Sequence, residues 1–276
     1  MKSKSVLGLF LITVVLNSLF LSLRSAAAHE FWISPEKYSV AEGENIVAAL
    51  RVGENFIGNS YSYNPSDFDR FDVLDAGELK PVEGTLGDRP AMNVALPGEG
   101  LAVAVHQSDL ERLTYSDFKK FEAFATNQDQ TAAIEQHKAR GLPDEGFLEV
   151  YRRFAKSYIQ RGRGLGADKK VGMELELVAR SNPYTDNGEE VSFELFYKGE
   201  LRPNTQIVVF NKPDPLTDAV RSTYRTDESG YVSIPKREGG IFLISAVLLV
   251  EPDEKMAAET GAVWYSLWAS ATYQIK

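Results

Sequence analysis

The chain has 276 residues, a formal charge of −9, three histidines and no cysteine. Without cysteine it has no disulfide, no thiolate metal site, no thiol nucleophile and no lipid-acylated cysteine. The acidic balance repels polyphosphate and anionic lipid, which excludes nucleic acid as a general partner.

The N-terminus reads as a secretion signal over residues 1–28. Lys2 and Lys4 supply a small positive charge, an apolar run extends from Val6 to about Leu23, and Ser25-Ala26-Ala27-Ala28 are small residues of the kind a signal peptidase accepts. The run is at the lower limit of the ~20 residues that span a bilayer, and Asn17 sits in its middle. Cleavage is therefore expected in preference to a membrane anchor. Loss of Lys2, Lys4 and Arg24 takes the formal charge from −9 to −12. No later stretch is long and apolar enough to insert in a membrane. The expectation is a mature protein in the periplasm or another extracytoplasmic space.

From Phe31 to His106 short apolar segments alternate with turn residues. Ile46 to Val52, Phe71 to Leu74, Met92 to Leu96 and Leu101 to Val105 read as strands, with Gly77, Gly84, Gly87 and Pro97-Gly98 between them. This spacing predicts an immunoglobulin-like β-sandwich over 29–107, with a polar, tyrosine-rich loop from Asn59 to Asp69. Over 108–168 the pattern turns helical and reads as an insertion or linker. Ser116 is a helix cap, followed by Phe118, Phe121 and Phe124 at helical spacing. Thr131 to Ala139 continues it until Arg140-Gly141-Leu142-Pro143. A second helix is expected with Phe147, Val150-Tyr151, Phe154 and Tyr158 on one face and Arg152, Arg153, Lys156 and Arg161 around a solvated remainder. Gly162-Arg163-Gly164-Leu165-Gly166 closes it.

From 169 to 276 the chain returns to β. Val191 to Tyr197 alternates, Lys198-Gly199 turns, and Ile207 to Phe210 reads as the return strand. Tyr231 to Ile234, Ile241 to Val250 and Trp264 to Ile275 follow. The segment reads as a second sandwich, transthyretin-like or carboxypeptidase-regulatory-like. The fold class is therefore mostly β: two β-sandwich domains with a helical insertion.

Cleavage after Ala28 places His29 at the mature N-terminus, where its imidazole and the free α-amine offer two nitrogens to one ion; cleavage after Ala27 would leave Ala28-His29, with the chelate running through a backbone amide. The α-amine has a pKa of ~7.7–8.0, so a metal competes with protons there, and the chelate suits copper or nickel. Glu30 follows and offers an oxygen. His106 ends the strand Leu101 to Val105 on the face of Ala102 and Ala104, and could reach an ion held by His29. His137 lies beside Glu135 and Lys138 and reads as solvated. Phe31 and Trp32 read as the apolar plug of the first strand. Trp264 and Trp268 share a face of the last strand and read as core rather than as a sugar-stacking pair. No phosphate loop, dinucleotide glycine pattern, Gly-x-Ser-x-Gly or His-Glu-x-x-His occurs.

These blocks also resemble a known family. Ala28-His29-Glu30-Phe31-Trp32, Tyr151-Arg152-Arg153-Phe154-Ala155-Lys156-Ser157, Ser181-Asn182-Pro183-Tyr184, Arg225-Thr226-Asp227-Glu228-Ser229-Gly230, Leu243-Ile244-Ser245-Ala246 and Leu267-Trp268-Ala269-Ser270 are similar in order and spacing to the secreted domain-of-unknown-function family 4198. Its members are often labelled as periplasmic components of nickel or cobalt uptake. The resemblance implies a metal role for His29. It also implies a histidine after Leu243-Ile244-Ser245-Ala246, where this chain has Val247-Leu248-Leu249; His106 or a carboxylate would substitute.

The leading expectation is a non-enzymatic, metal-binding receptor or accessory. It would hold nickel, cobalt or copper on His29, His106 and Glu30 and hand it to a membrane transporter. An envelope adaptor without metal, and a copper histidine-brace monooxygenase drawing on His106 or His137, are the alternatives.

Overall fold

Turn-punctuated alternation becomes eighteen strands and three helices in a computed structural model that describes residues 29–214, 216–236 and 239–276. The secretion signal expected over 1–28 lies outside the described residues. The first half contains β1 (Glu30–Pro35), β2 (Ser39–Val40), β3 (Ile46–Glu54), β4 (Ile57–Tyr61), β5 (Phe68–Asp75), β6 (Glu78–Pro81), β7 (Met92–Val94), β8 (Gly100–Ser108) and β9 (Glu111–Tyr115). Helices α1 (Phe118–Asn127) and α2 (Ala132–Ala139) follow. The second half contains β10 (Phe147–Arg161), β11 (Leu175–Ala179), β12 (Glu190–Tyr197), β13 (Glu200–Leu201), β14 (Gln206–Lys212), β15 (Val220–Arg225), β16 (Tyr231–Pro235), β17 (Gly240–Val250), α3 (Glu254–Thr260) and β18 (Trp264–Ile275). None of the described helices is long and apolar enough to cross a membrane.

The strands form three sheets. A central ten-stranded sheet runs β15-β14-β17-β18-β10-β8-β5-β6, with β2 and β9 also paired to β10. A four-stranded sheet of β1, β3, β4 and β7 packs on one face of it, and a four-stranded sheet of β11, β12, β13 and β16 is buried against the other. The two expected sandwiches therefore share their middle layer.

Strand alternation accounts for the layering. In β18, Tyr265, Leu267, Ala269, Ala271 and Tyr273 face the β11–β12 sheet. On the opposite face, Trp264 and Trp268 lie under the helices, while Ser270 and Thr272 donate hydrogen bonds to the carbonyls of Phe31 and Ile33 on β1. Those hydroxyls satisfy the free edge of β1 and fix the small sheet over the large one. Phe31 and Trp32 plug opposite sides of β1, Phe31 toward the β5–β8 core and Trp32 against Phe56, Phe210 and Leu243.

The largest departure from expectation is β10. The predicted second helix is a fifteen-residue strand at the centre of the molecule, parallel to β18 with Val150 opposite Tyr265 and Phe154 opposite Ala269. Val150, Phe154 and Tyr158 are four apart, a spacing that satisfies a helix and every second step of a strand alike. The tertiary context selects the strand, and the segment's valine, isoleucine, phenylalanine and tyrosines suit it. The basic residues are accordingly not a solvated face. Arg152 pairs with Asp69, Arg153 with Glu111, Lys156 with Asp168 and Arg161 with Asp75, whereas Arg163, beyond the strand, pairs with Glu99 and stays exposed.

Smaller corrections follow the same logic. The cap of α1 is Asp117, whose carboxylate accepts from the Lys119 amide, rather than Ser116. The polar loop is shorter than expected, because β4 reaches Tyr61 and β5 begins at Phe68. After Lys198-Gly199 the short return is β13, whereas β14 crosses to the central sheet to pair with β15 and β17. The unexpected α3 is capped by Asp253 and ends on left-handed Gly261.

Candidate functional site

The end of the first sandwich where β1 and β3 separate from the central sheet holds a pocket of about 430 Å³. Pairing places Phe31 of β1 opposite Val52 of β3, so β1 and β3 supply one wall. The other is the central sheet, where β5, β8 and β10 bring Phe68, His106, Ser108, Tyr151 and Arg153. The turns after β4 and β8 add Asp67, Asp109 and Leu110, and Glu111 begins β9.

His29 and His106 both line this pocket. His29 stands at its rim, with its side chain 40% exposed and Nε2 3.6 Å from Glu54. His106 is sunk in the wall at 3% exposure. Its ring centroid is 4.7 Å from that of Phe31, 5.4 Å from Phe68 and 5.3 Å from Phe71, and its Nδ1 is buried without a partner. Burial, reinforced by the nearby charge of Arg153, lowers the His106 pKa to about 3, so the ring is uncharged at neutral pH.

Glu30 is not on the pocket wall. Alternation along β1 sends it to the side opposite Phe31, where Oε2 is buried and unpartnered. Burial pushes its pKa up to about 7, with Glu54 adding to the rise. Among the described residues, no three or more histidine, aspartate or glutamate side chains are gathered closely enough to hold an ion.

Residues outside the predicted set complete the wall. Arg153 pairs with Glu111 at 2.6 Å and lies 4.7 Å over the Tyr151 ring. The Tyr151 hydroxyl donates to the same glutamate at 2.8 Å, and burial pushes the Tyr151 pKa up to about 12. The Arg153 amide donates to Ser108 Oγ. Read as a strand, Tyr151 and Arg153 share the face of Phe147 and Ala155; the helical reading concealed that parity.

His137 is also buried, at 1% exposure, which corrects the solvated reading. Helix α2 turns Ala133, Ile134 and His137 inward and leaves Glu135 and Lys138 outside. Its Nδ1 accepts from Trp264 Nε1 at 3.0 Å, and its Nε2 faces the Pro143 carbonyl at 3.0 Å. Both nitrogens are occupied, so neither is open to a metal. Trp264 and Trp268 are core, the latter stacked on Phe124 at 5.5 Å.

Fold and site together define a mostly β protein of three stacked sheets with a pocket at the open end of its first sandwich. The chain belongs to the family DUF4198, a domain of unknown function, whose model matches residues 26–249. Strand β18 lies beyond that match yet in the middle of the central sheet. No curated protein matches the chain. Among solved structures, a tetra-tandem repeat in the extending region of a large adhesion protein aligns at 12% identity with a TM-score of 0.22. The alignment covers 90% of this chain and 50% of that one.

Proposed function

We propose that the protein is an exported binding protein that captures a divalent transition metal, nickel, cobalt or copper, and passes it to a membrane transporter. One observation carries the reading: two of the chain's three histidines, distant in sequence, line the same pocket, and one of them keeps a buried nitrogen with no partner. Imidazole nitrogen suits these metals. Oxygen would come from Asp67, Asp109 or Glu111 rather than from Glu30. Those carboxylates outnumber the single guanidinium on the walls, so the pocket favours a cation. Removal of residues 1–28 would leave His29 at the new N-terminus, where the α-amine adds a nitrogen.

The reading is capture rather than turnover. A histidine brace needs an open face, whereas the His106 ring lies 4.7 Å from that of Phe31. The test is native mass spectrometry of untagged mature protein loaded with each metal. One ion per chain is expected, lost in His29→Ala and in His106→Phe. A chain that takes up none of the three ions would overturn the reading and leave a metal-free adaptor.

A further inference from the structure

Between the central sheet and β11 lies a second group of charges, unrelated to the pocket. Lys156 of β10, Asp168 of the crossover to β11, and Glu176 of β11 are sealed in the core at 0%, 0% and 2% side-chain exposure. Lys156 Nζ is 3.0 and 3.1 Å from the two oxygens of Asp168 and 2.8 Å from Glu176 Oε1. One ammonium thus faces two carboxylates. Burying such a group costs several kcal/mol per ion unless every charge is compensated.

The hydrogen bonds divide the two Asp168 oxygens between distinct tasks. Oδ2 accepts from the Tyr158 hydroxyl at 2.8 Å and the Ala179 amide at 2.9 Å, and burial keeps that phenol protonated, its pKa well above the usual value. Two donors on one oxygen polarise the Cγ–O bond as an oxyanion hole does. Oδ1 accepts from the Lys169 amide and from the Lys156 ammonium, which also reaches Oδ2 at 3.1 Å, so Oδ1 is the oxygen with fewer donors. Glu176 is held in place by the amides of Val171, Gly172 and Met173. An amine, a polarised carboxyl carbon and a positioned carboxylate are together in a dry site, held by the fold as an intramolecular reaction requires.

We propose that Lys156 and Asp168 condense after folding into an intramolecular isopeptide bond, with Glu176 as the proton carrier. Glu176 takes a proton from the Lys156 ammonium, and the freed lone pair attacks Asp168 Cγ, whose developing charge collects on Oδ2. Glu176 then relays this proton, and a second from the attacking nitrogen, to Oδ1. The Cγ–Oδ1 bond breaks and water leaves. An N–Cγ amide has formed, one C–O bond has broken, and Glu176 is again a carboxylate. Nothing is oxidised or reduced, and no co-reactant is consumed. The product removes one positive and one negative charge from the core and leaves Glu176 with its three backbone donors. It ties the central strand β10 to the crossover that carries the chain into the next sheet.

The experiment is intact-mass measurement and tryptic peptide mapping of the full mature protein, beside Glu176→Gln. The expected wild type is one water lighter than its sequence mass, with a branched peptide joining Lys156 to Asp168. The expected Glu176→Gln protein has full mass, no branched peptide and a Tm lower by on the order of 10 °C, as loss of a short covalent loop implies. Wild-type protein at full mass, or a water loss mapping elsewhere, would overturn the proposal whether or not the variant folds. A Glu176→Gln protein that still carries the branched peptide would overturn the role of Glu176.

Discussion

The pocket end of the first sandwich and the helix-covered patch over β18 each bury one histidine, and the two are treated differently. His137, under α2, has Trp264 on one nitrogen and the Pro143 carbonyl beside the other. His106, at the pocket, is nearly as buried but leaves Nδ1 unpartnered among three phenylalanine rings. Burial alone therefore does not distinguish the two histidines; the hydrogen-bond inventory does. A satisfied imidazole stabilises the fold, whereas an unsatisfied one costs stability, and that difference is the ground for proposing that His106 meets a ligand.

The largest effect that sharpens this contrast is acid sensitivity in the metal-free protein. The His106 pKa falls from 6.5 to about 3 on folding, so between those values the unfolded chain binds the extra proton. Its contribution is present above pH 6.5 and is lost as pH falls toward 3, on the order of 5 kcal/mol in all. Urea unfolding across that window should steepen in wild type relative to His106→Phe; parallel curves would break the comparison.

Glu149, beneath the helices, runs in the opposite direction. It accepts from Tyr115 and Ser266, and burial raises its pKa to about 7. Here the folded state holds the proton. The stability is present below pH 4.5 and declines as pH rises through 7, by about 3 kcal/mol. Glu149→Gln should remove that decline, which denaturation midpoints at pH 5 and pH 8 would register.

Next in size is His137→Phe. It strands the Trp264 indole N–H and the Pro143 carbonyl, for a loss of about 2–3 kcal/mol at neutral pH. The same substitution at His106 strands no protein partner and adds an apolar ring to an aromatic cage. Its cost should stay below about 1 kcal/mol, measured by equilibrium unfolding. Equal losses at the two positions would remove the distinction.

Much of this organisation was readable in the sequence. Alternation bounded by turns located β3, β8, β12, β16, β17 and β18; the strand read as ending at His106 runs on to Ser108, and its parity put His106 on the face of Ala102 and Ala104. The plug formed by Phe31 and Trp32 was equally legible. Strand β10 was not, because Val150, Phe154 and Tyr158 fit two periods, and because the acids that pair with Arg152, Arg153 and Lys156 are not their neighbours in the chain. A lysine in a strand reads as solvent-facing until Asp168 and Glu176 close over it. His137 failed for a similar reason, since its hydrogen-bond partner Trp264 comes from the last strand. The position of Glu30 was recoverable: in an extended β1, His29 and Phe31 share one side and Glu30 takes the other.

The central claim is that the pocket histidine serves a ligand and the helix histidine serves the fold. Calorimetric titration of mature wild type, His106→Phe and His137→Phe with nickel, cobalt and copper tests it most directly. The account predicts one site in wild type, an unchanged site in a destabilised His137→Phe, and no site in a stable His106→Phe. Binding retained in His106→Phe, or absent from wild type for all three ions, would contradict it.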